Sequence, residues 1–153
     1  EFEVRANPVW PMPGLDPCLD SLRDAGQILG IISNAQFFTP VAFEAVAGKS
    51  LDDHEFDPAL RYYSYEHGRG KPDVRLFELA AAALGQRGVQ PEQVLYLGND
   101  MRNDVWPAAA VGFRTALFAG DQRSLRLREQ EAESKEAADA VVTHLNQVRQ
   151  LLV

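Results

Sequence analysis

Short apolar runs alternate along the chain with stretches whose apolar positions recur at helical spacing, and glycine or proline marks most changes of pattern. Gln27–Ile32 (Q-I-L-G-I-I), Val94–Leu97 (V-L-Y-L) and Arg114–Ala119 (R-T-A-L-F-A) read as strands buried on both faces. Arg61–Tyr65 and Ala140–Thr143 are weaker strands of the same kind. Asp16-Pro17 and Thr39-Pro40 each place a capping side chain before a proline at the first helical position. The first helix carries Leu19, Leu22 and Ala25 and stops at Gly26; the second turns Phe43, Val46 and Ala47 inward and stops at Gly48. Pro72 opens a third helix, with Leu76, Phe77, Ala80 and Leu84 as its apolar stripe and Gly85 as its stop. Val105–Val111 forms a fourth, closed by Gly112, and Leu145–Leu152 a last one. Residues 49–60 are polar and irregular, and residues 122–137 are charged and helical in part. Residues 1–14 hold three prolines and a glycine and read as an extended arm, with a short strand at Phe2–Arg5.

Strands alternating with helices at this spacing pair in parallel through right-handed crossovers, so the fold class is a doubly wound, Rossmann-like α/β sheet. No internal repeat or linker divides the 153 residues, a length that suits one domain. The formal charge of −7 argues against a nucleic-acid or anionic-membrane surface. No apolar run approaches the length of a membrane span. The one cysteine, Cys18, allows no internal disulfide and fits a reducing compartment, with cytoplasm as the expectation.

The candidate chemistry sits where strands end. After Leu97 come Gly98 and Asn99, and then two acids, Asp100 and Asp104. Pro107 is tolerated only in a first helical turn, which predicts a helix start near Asn103 or Asp104 and leaves Asp100 in the preceding loop. Two short carboxylates there can hold a hard cation such as Mg²⁺, although Asp at a strand-to-helix turn is also ordinary capping chemistry. In a parallel sheet the carboxyl ends of all strands face one side. Ser33-Asn34, Lys71 and the two acids therefore converge on one edge. A hydroxyl, an ammonium and a carboxylate pair make a kit for a phosphoryl group. Ser33 and neighbouring N–H groups donate to its oxygens, Lys71 neutralises its charge, and the acids hold Mg²⁺. Arg123, Arg126 and Arg128 read as a solvated helix face balanced by Glu129 and Glu131.

At these residues the chain resembles the haloacid dehalogenase-like hydrolase superfamily, over essentially its whole length, as the later part of that family's core. Ser33 after G-I-I is similar to the second family motif, Lys71 in G-K-P-D to the third, and Asp100 with Asp104 in G-N-D-M-R-N-D to the fourth. The fourth usually reads Gly-Asp, and here Asn99 intervenes. The resemblance implies a Mg²⁺-dependent phosphatase acting on a small phosphorylated metabolite through an aspartyl-phosphate intermediate. Ser33 and Asn34 would bind the phosphoryl group, Lys71 would neutralise it, and Asp100 and Asp104 would be the metal ligands. The family's first motif, a strand ending in Asp-x-Asp that carries the nucleophile, has no counterpart here; Asp52-Asp53 lie in a polar segment. That strand belongs between those at Gln27–Ile32 and Val94–Leu97. The expectation is therefore an incomplete core at 15–153, a return arm from a cap at 1–14, and a chain inactive on its own. The alternatives are a 2-haloacid dehalogenase-type hydrolase, which needs no metal, and a non-catalytic binding or regulatory module.

Overall fold

The computed structural model describes residues 10–131 and 137–152. The expected strand at Phe2–Arg5, most of the arm at 1–14 and part of the helical expectation for 122–137 lie outside them.

Helix α1 (Leu15–Asp24) leads into β1 (Leu29–Ser33), then α2 (Thr39–Ala47), β2 (Phe56–Tyr63) and a helical turn α3 (Ser64–His67). Helix α4 (Arg75–Gly85), β3 (Leu95–Gly98), a wide π-helical turn (Met101–Val105) and α5 (Trp106–Ala110) follow. Strands β4 (Arg114–Phe118) and β5 (Ala140–Val142) and a closing 3₁₀ helix (Leu145–Leu151) complete the order. Every pairing is parallel, as the alternation of elements requires. The pairs form two sheets rather than one: β1 with β2, and β3 with β4 with β5. Among the described residues no backbone ladder joins β1 to β3, the position where the family resemblance puts a further strand.

Side chains span that break. Leu29 of β1 and Leu95 and Leu97 of β3 pack on one face against Cys18, Leu22, Phe118, Val142, Leu145 and Val148. On the other face Ile32, Val94 and Tyr96 meet Leu76, Phe77, Ala80, Ala108 and Phe113. Successive β3 residues thus serve opposite cores, which is why its sequence reads as an unbroken apolar run. The Tyr96 hydroxyl adds one polar tie, donating to the Ile32 carbonyl at 3.1 Å.

Three local expectations change. Strand β2 begins at Phe56, five residues before the expected start at Arg61, and ends at Tyr63 rather than Tyr65. Its pairing slips between Leu29 opposite Phe56 and Ile31 opposite Arg61, so Asp57 and Pro58 sit in an irregularity of an edge strand, where a missing N–H is tolerated. Helix α2 has no fully buried residue: Val46, expected inward, is exposed, while Phe43 is half-buried against Ala35, Leu51 and Tyr63. From 119 to 131, the described part of the segment after β4, the chain is a run of turns with a single bridge at Arg126 and no helix. No helix among the described residues is long and apolar enough to cross a membrane.

Phe77 of α4 is fully buried and stacks edge-on against Tyr96, ring centroids 4.9 Å apart. Phe77→Ala removes the ring from the core that spans both sheets, and it is expected to cost about 3–5 kcal/mol. A urea melt of the full chain checks this; a loss below about 1 kcal/mol would mean that the two sheets do not share this core.

Candidate functional site

The carboxyl edges of β1 and β3 meet at Lys71. The loop before α4 is fixed by Asn34, the residue after β1: its Oδ1 accepts the Lys71 N–H at 2.6 Å and its Nδ2 donates to the Lys71 carbonyl at 2.9 Å. Gly70 makes room for this clamp, because a Cβ there would lie 2.7 Å from Asn34 Oδ1. From that anchor the Lys71 side chain runs inward. Its Nζ donates to Asp104 Oδ1 at 2.5 Å and to the Tyr96 hydroxyl at 3.1 Å. An ammonium has three N–H bonds, so two are committed and one is left.

Asp104 is 4% exposed. Its second oxygen, Oδ2, accepts the backbone N–H groups of Asn99 and Asp100, each at 3.0 Å. The carboxylate thus closes the turn after β3 and faces Lys71 at once. It lies flat against Gly98, where an added Cβ would come within 2.2 Å of Asp104 Cβ. Burial, and then the nearby Asp104 carboxylate, hold the Tyr96 phenol well above its ordinary pKa, so it remains a neutral hydroxyl.

Asp100 does more than end a loop. It is the N-cap of the π-helical turn, accepting the N–H groups of Arg102 at 3.0 Å and Asn103 at 3.2 Å. The helix begins at Met101, two or three residues before the start that Pro107 implied. In the wide turn Val105 bonds back to Asp100 and Trp106 to Met101, five residues each, so Pro107 is reached only as the regular helix opens. The Arg128 guanidinium grips Asp100 from the other side, Nη2 to Oδ2 at 2.8 Å and Nε to Oδ1 at 3.2 Å. Burial pushes the Asp100 carboxyl up, but Arg128 and the N–H groups of Asn103 and Arg102 outweigh it and hold the pKa below the ordinary value.

Of the residues singled out from the sequence, Asn34, Lys71, Asp100 and Asp104 are thus tied into one neighbourhood. Ser33 ends β1 half-buried, opposite Tyr63, and its hydroxyl makes no hydrogen bond among the described residues. The N–H groups of Ala35 and Gln36 are already taken, by Ser64 Oγ and Thr39 Oγ1. An open cleft lined by Asn34, Gln36, Ser64, Arg69 and Gly70 lies beside them. Tyr96, Asn103 and Arg128 were not found from the sequence. Tyr96 reads as core from its apolar neighbours, and Arg128 joins the site only through the packing of a distant loop.

The fit to a divalent cation is partial. Each acid already faces a protein cation, Lys71 on Asp104 and Arg128 on Asp100. Both Asp104 oxygens are committed. Asp100 lies nearer the surface, and its guanidinium partner is one-third exposed and can be exchanged for another cation. Among the described residues, no group of three or more His, Cys, Asp or Glu side chains is placed to hold a metal.

The family model of the haloacid dehalogenase-like hydrolases matches residues 2–112. The chain belongs to this family. Glyceraldehyde 3-phosphate phosphatase of Pyrococcus furiosus is 30% identical over 142 residues, covering 92% of this chain and 54% of that protein. The haloacid dehalogenase-like phosphatase of Thermococcus onnurineus superposes with a TM-score of 0.69 at 24% identity, over 92% of this chain and 57% of the other. L-2-haloacid dehalogenase of Xanthobacter autotrophicus gives 0.68 at 27%, over 94% and 61%. The chain spans about half the length of the curated relatives it matches. The buried Lys71–Asp104 pair is a weak source of stability, because burying both ions costs much of what their attraction returns.

Gly98→Ala tests the packing of that pair. The methyl group overlaps Asp104 directly, so the carboxylate must leave the Asn99 and Asp100 N–H groups. We expect a loss of roughly 2–4 kcal/mol in thermal or urea unfolding. A wild-type melting temperature would show that the turn tolerates a Cβ.

Proposed function

We propose that this chain is the phosphoryl-receiving part of a phosphatase that acts on a small phosphorylated metabolite. The observation that carries the reading is Lys71, an ammonium clamped through its backbone by Asn34 and through its side chain by Asp104 and Tyr96. Its remaining N–H is available to an oxygen of a phosphoryl group at the strand edge. A fixed positive charge at that place stabilises charge that builds up during transfer and needs little reorganisation to do so. Ser33 offers a hydroxyl donor one residue from the clamp, and Asn34 acts by fixing Lys71 as well as by lining the cleft.

In this reading the nucleophile is an aspartate on a strand lying between β1 and β3. It attacks phosphorus, the alcohol of the substrate leaves, and water then hydrolyses the aspartyl-phosphate. The break between the two sheets supports that placement, and the chain alone is then inactive. A magnesium ion bound at Asp100, with Asp104 behind it, would supply screening between the nucleophile and the anionic substrate. The protein is read as cytoplasmic.

A second reading, a dehalogenase-type hydrolase, is favoured by one observation: Asp100 and Asp104 are already neutralised by Arg128 and Lys71, which leaves a site that is electrically balanced without metal. Assay of the full protein separates the two. Under the phosphatase reading, Lys71→Met lowers kcat/KM for p-nitrophenyl phosphate about 10²–10³-fold, and chelation of divalent ions abolishes turnover. Turnover of a 2-haloacid that survives chelation would favour the dehalogenase, and wild-type phosphatase activity in Lys71→Met would overturn the role given to Lys71.

A further inference from the structure

The open cleft beside Asn34 is walled by the loop after β1 and the segment after β2, at the edge where parallel sheets take their ligands. It encloses about 440 Å³, room for a small molecule. Most of its polar groups are committed to one another. Asn34 clamps the Lys71 backbone, and the Ser64 hydroxyl bonds to both the N–H and the carbonyl of Ala35. Two side chains are left over. Gln36 bonds to Thr39 through its backbone N–H, and its side-chain amide has no partner among the described residues. The Arg69 guanidinium makes one bond, from Nη1 to Asp73 Oδ2 at 2.8 Å, and most of its five N–H donors remain.

Arg69 is held from both sides. The helical turn α3 ends at Gly68, whose φ of 62 lies in the left-handed region, and two residues later the Lys71 backbone is clamped to Asn34. The Cα atoms of Arg69 and Lys71 are therefore within about 7 Å of each other. Their side chains part company: Lys71 is buried against Asp104, while Arg69 is exposed and lines the cleft. None of the lining residues is acidic, in a chain whose formal charge is −7. The Arg69–Asp73 pair is exposed and contributes little, so an incoming anion can take the place of Asp73.

We propose that Arg69 is a specificity residue: while Lys71 holds the phosphoryl group, Arg69 takes a carboxylate at the other end of the same molecule. The substrate class is then a small phosphate monoester whose alcohol part carries a carboxylate. The inference rests on the phosphoryl role given to Lys71 above. A planar guanidinium offers a carboxylate two parallel N–H bonds, which a neutral hydroxyl cannot match. The Gln36 amide, on the opposite wall, serves a hydroxyl between the two anions.

The test is calorimetric titration of the full chain with 3-phosphoglycerate and glycerol 3-phosphate, two esters that differ by a carboxylate against a hydroxymethyl group. Wild type is compared with Arg69→Gln and Lys71→Met, and melting curves verify that each variant is folded. Wild type is expected to bind 3-phosphoglycerate about tenfold more tightly than glycerol 3-phosphate. Arg69→Gln is expected to erase that difference by raising the Kd for 3-phosphoglycerate to that of glycerol 3-phosphate. Lys71→Met is expected to weaken both esters. No preference in wild type, or a preference that survives in Arg69→Gln, would overturn the specificity role, and weakening of both esters in Lys71→Met would then leave the phosphoryl reading standing. Esters that bind wild type and Lys71→Met alike, or that do not bind wild type, would overturn both. If Lys71→Met fails to fold, competition by inorganic phosphate takes its place, and esters that phosphate does not displace overturn both.

Discussion

Lys71 and Asp104 are buried against each other between β1 and β3, which share no backbone ladder among the described residues, and much of the structure is arranged to keep them there. Asn34 holds the lysine backbone, Tyr96 shares its ammonium, and the turn after β3 wraps two N–H groups around the acid. Gly98 and Gly70 leave the space that this arrangement needs. A buried ion pair of this kind is a poor source of stability. In the proposed function its use is to hold an ammonium at a defined place on the sheet edge.

The sheet class, the parallel pairing and most element positions were legible because they rest on periodicity and on proline and glycine at element ends, which act locally. Leu76, Phe77, Ala80 and Leu84 were foreseen as one stripe and are all buried. That β1 and β3 are not paired among the described residues is something periodicity could not say, because apolar runs do not tell which strands are neighbours. Strand β2 was placed late because Asp57 and Pro58 look like loop residues, and an edge strand with an irregular register tolerates both. The helix after Asp100 starts early because five-residue bonds let the chain enter a helical turn before Pro107 forbids anything.

The convergence of the candidate residues on one sheet edge was legible, though not the network that ties them. Ser33, Asn34, Lys71, Asp100 and Asp104 could be placed on one edge, since the ends of parallel strands share a side. That the Asn34 amide is spent on the Lys71 backbone, and that Arg128 reaches Asp100 from 28 residues away, depends on loop packing that no local pattern encodes. Arg128 was read as part of a solvated helix face. It lies instead on a strap bonded to Asn99 and Met101, and only that strap makes it a neighbour of the acid.

The tie from Tyr96 to the Ile32 carbonyl has a topological consequence. Among the described residues no backbone ladder covers the side of β1 that faces β3, where this carbonyl accepts the bond. A phenol now satisfies it, and the amide of any strand slotted into the opening would contend for the same oxygen. The junction is therefore stitched at one point by a side chain, and a strand amide that paired with that oxygen would have to displace the phenol.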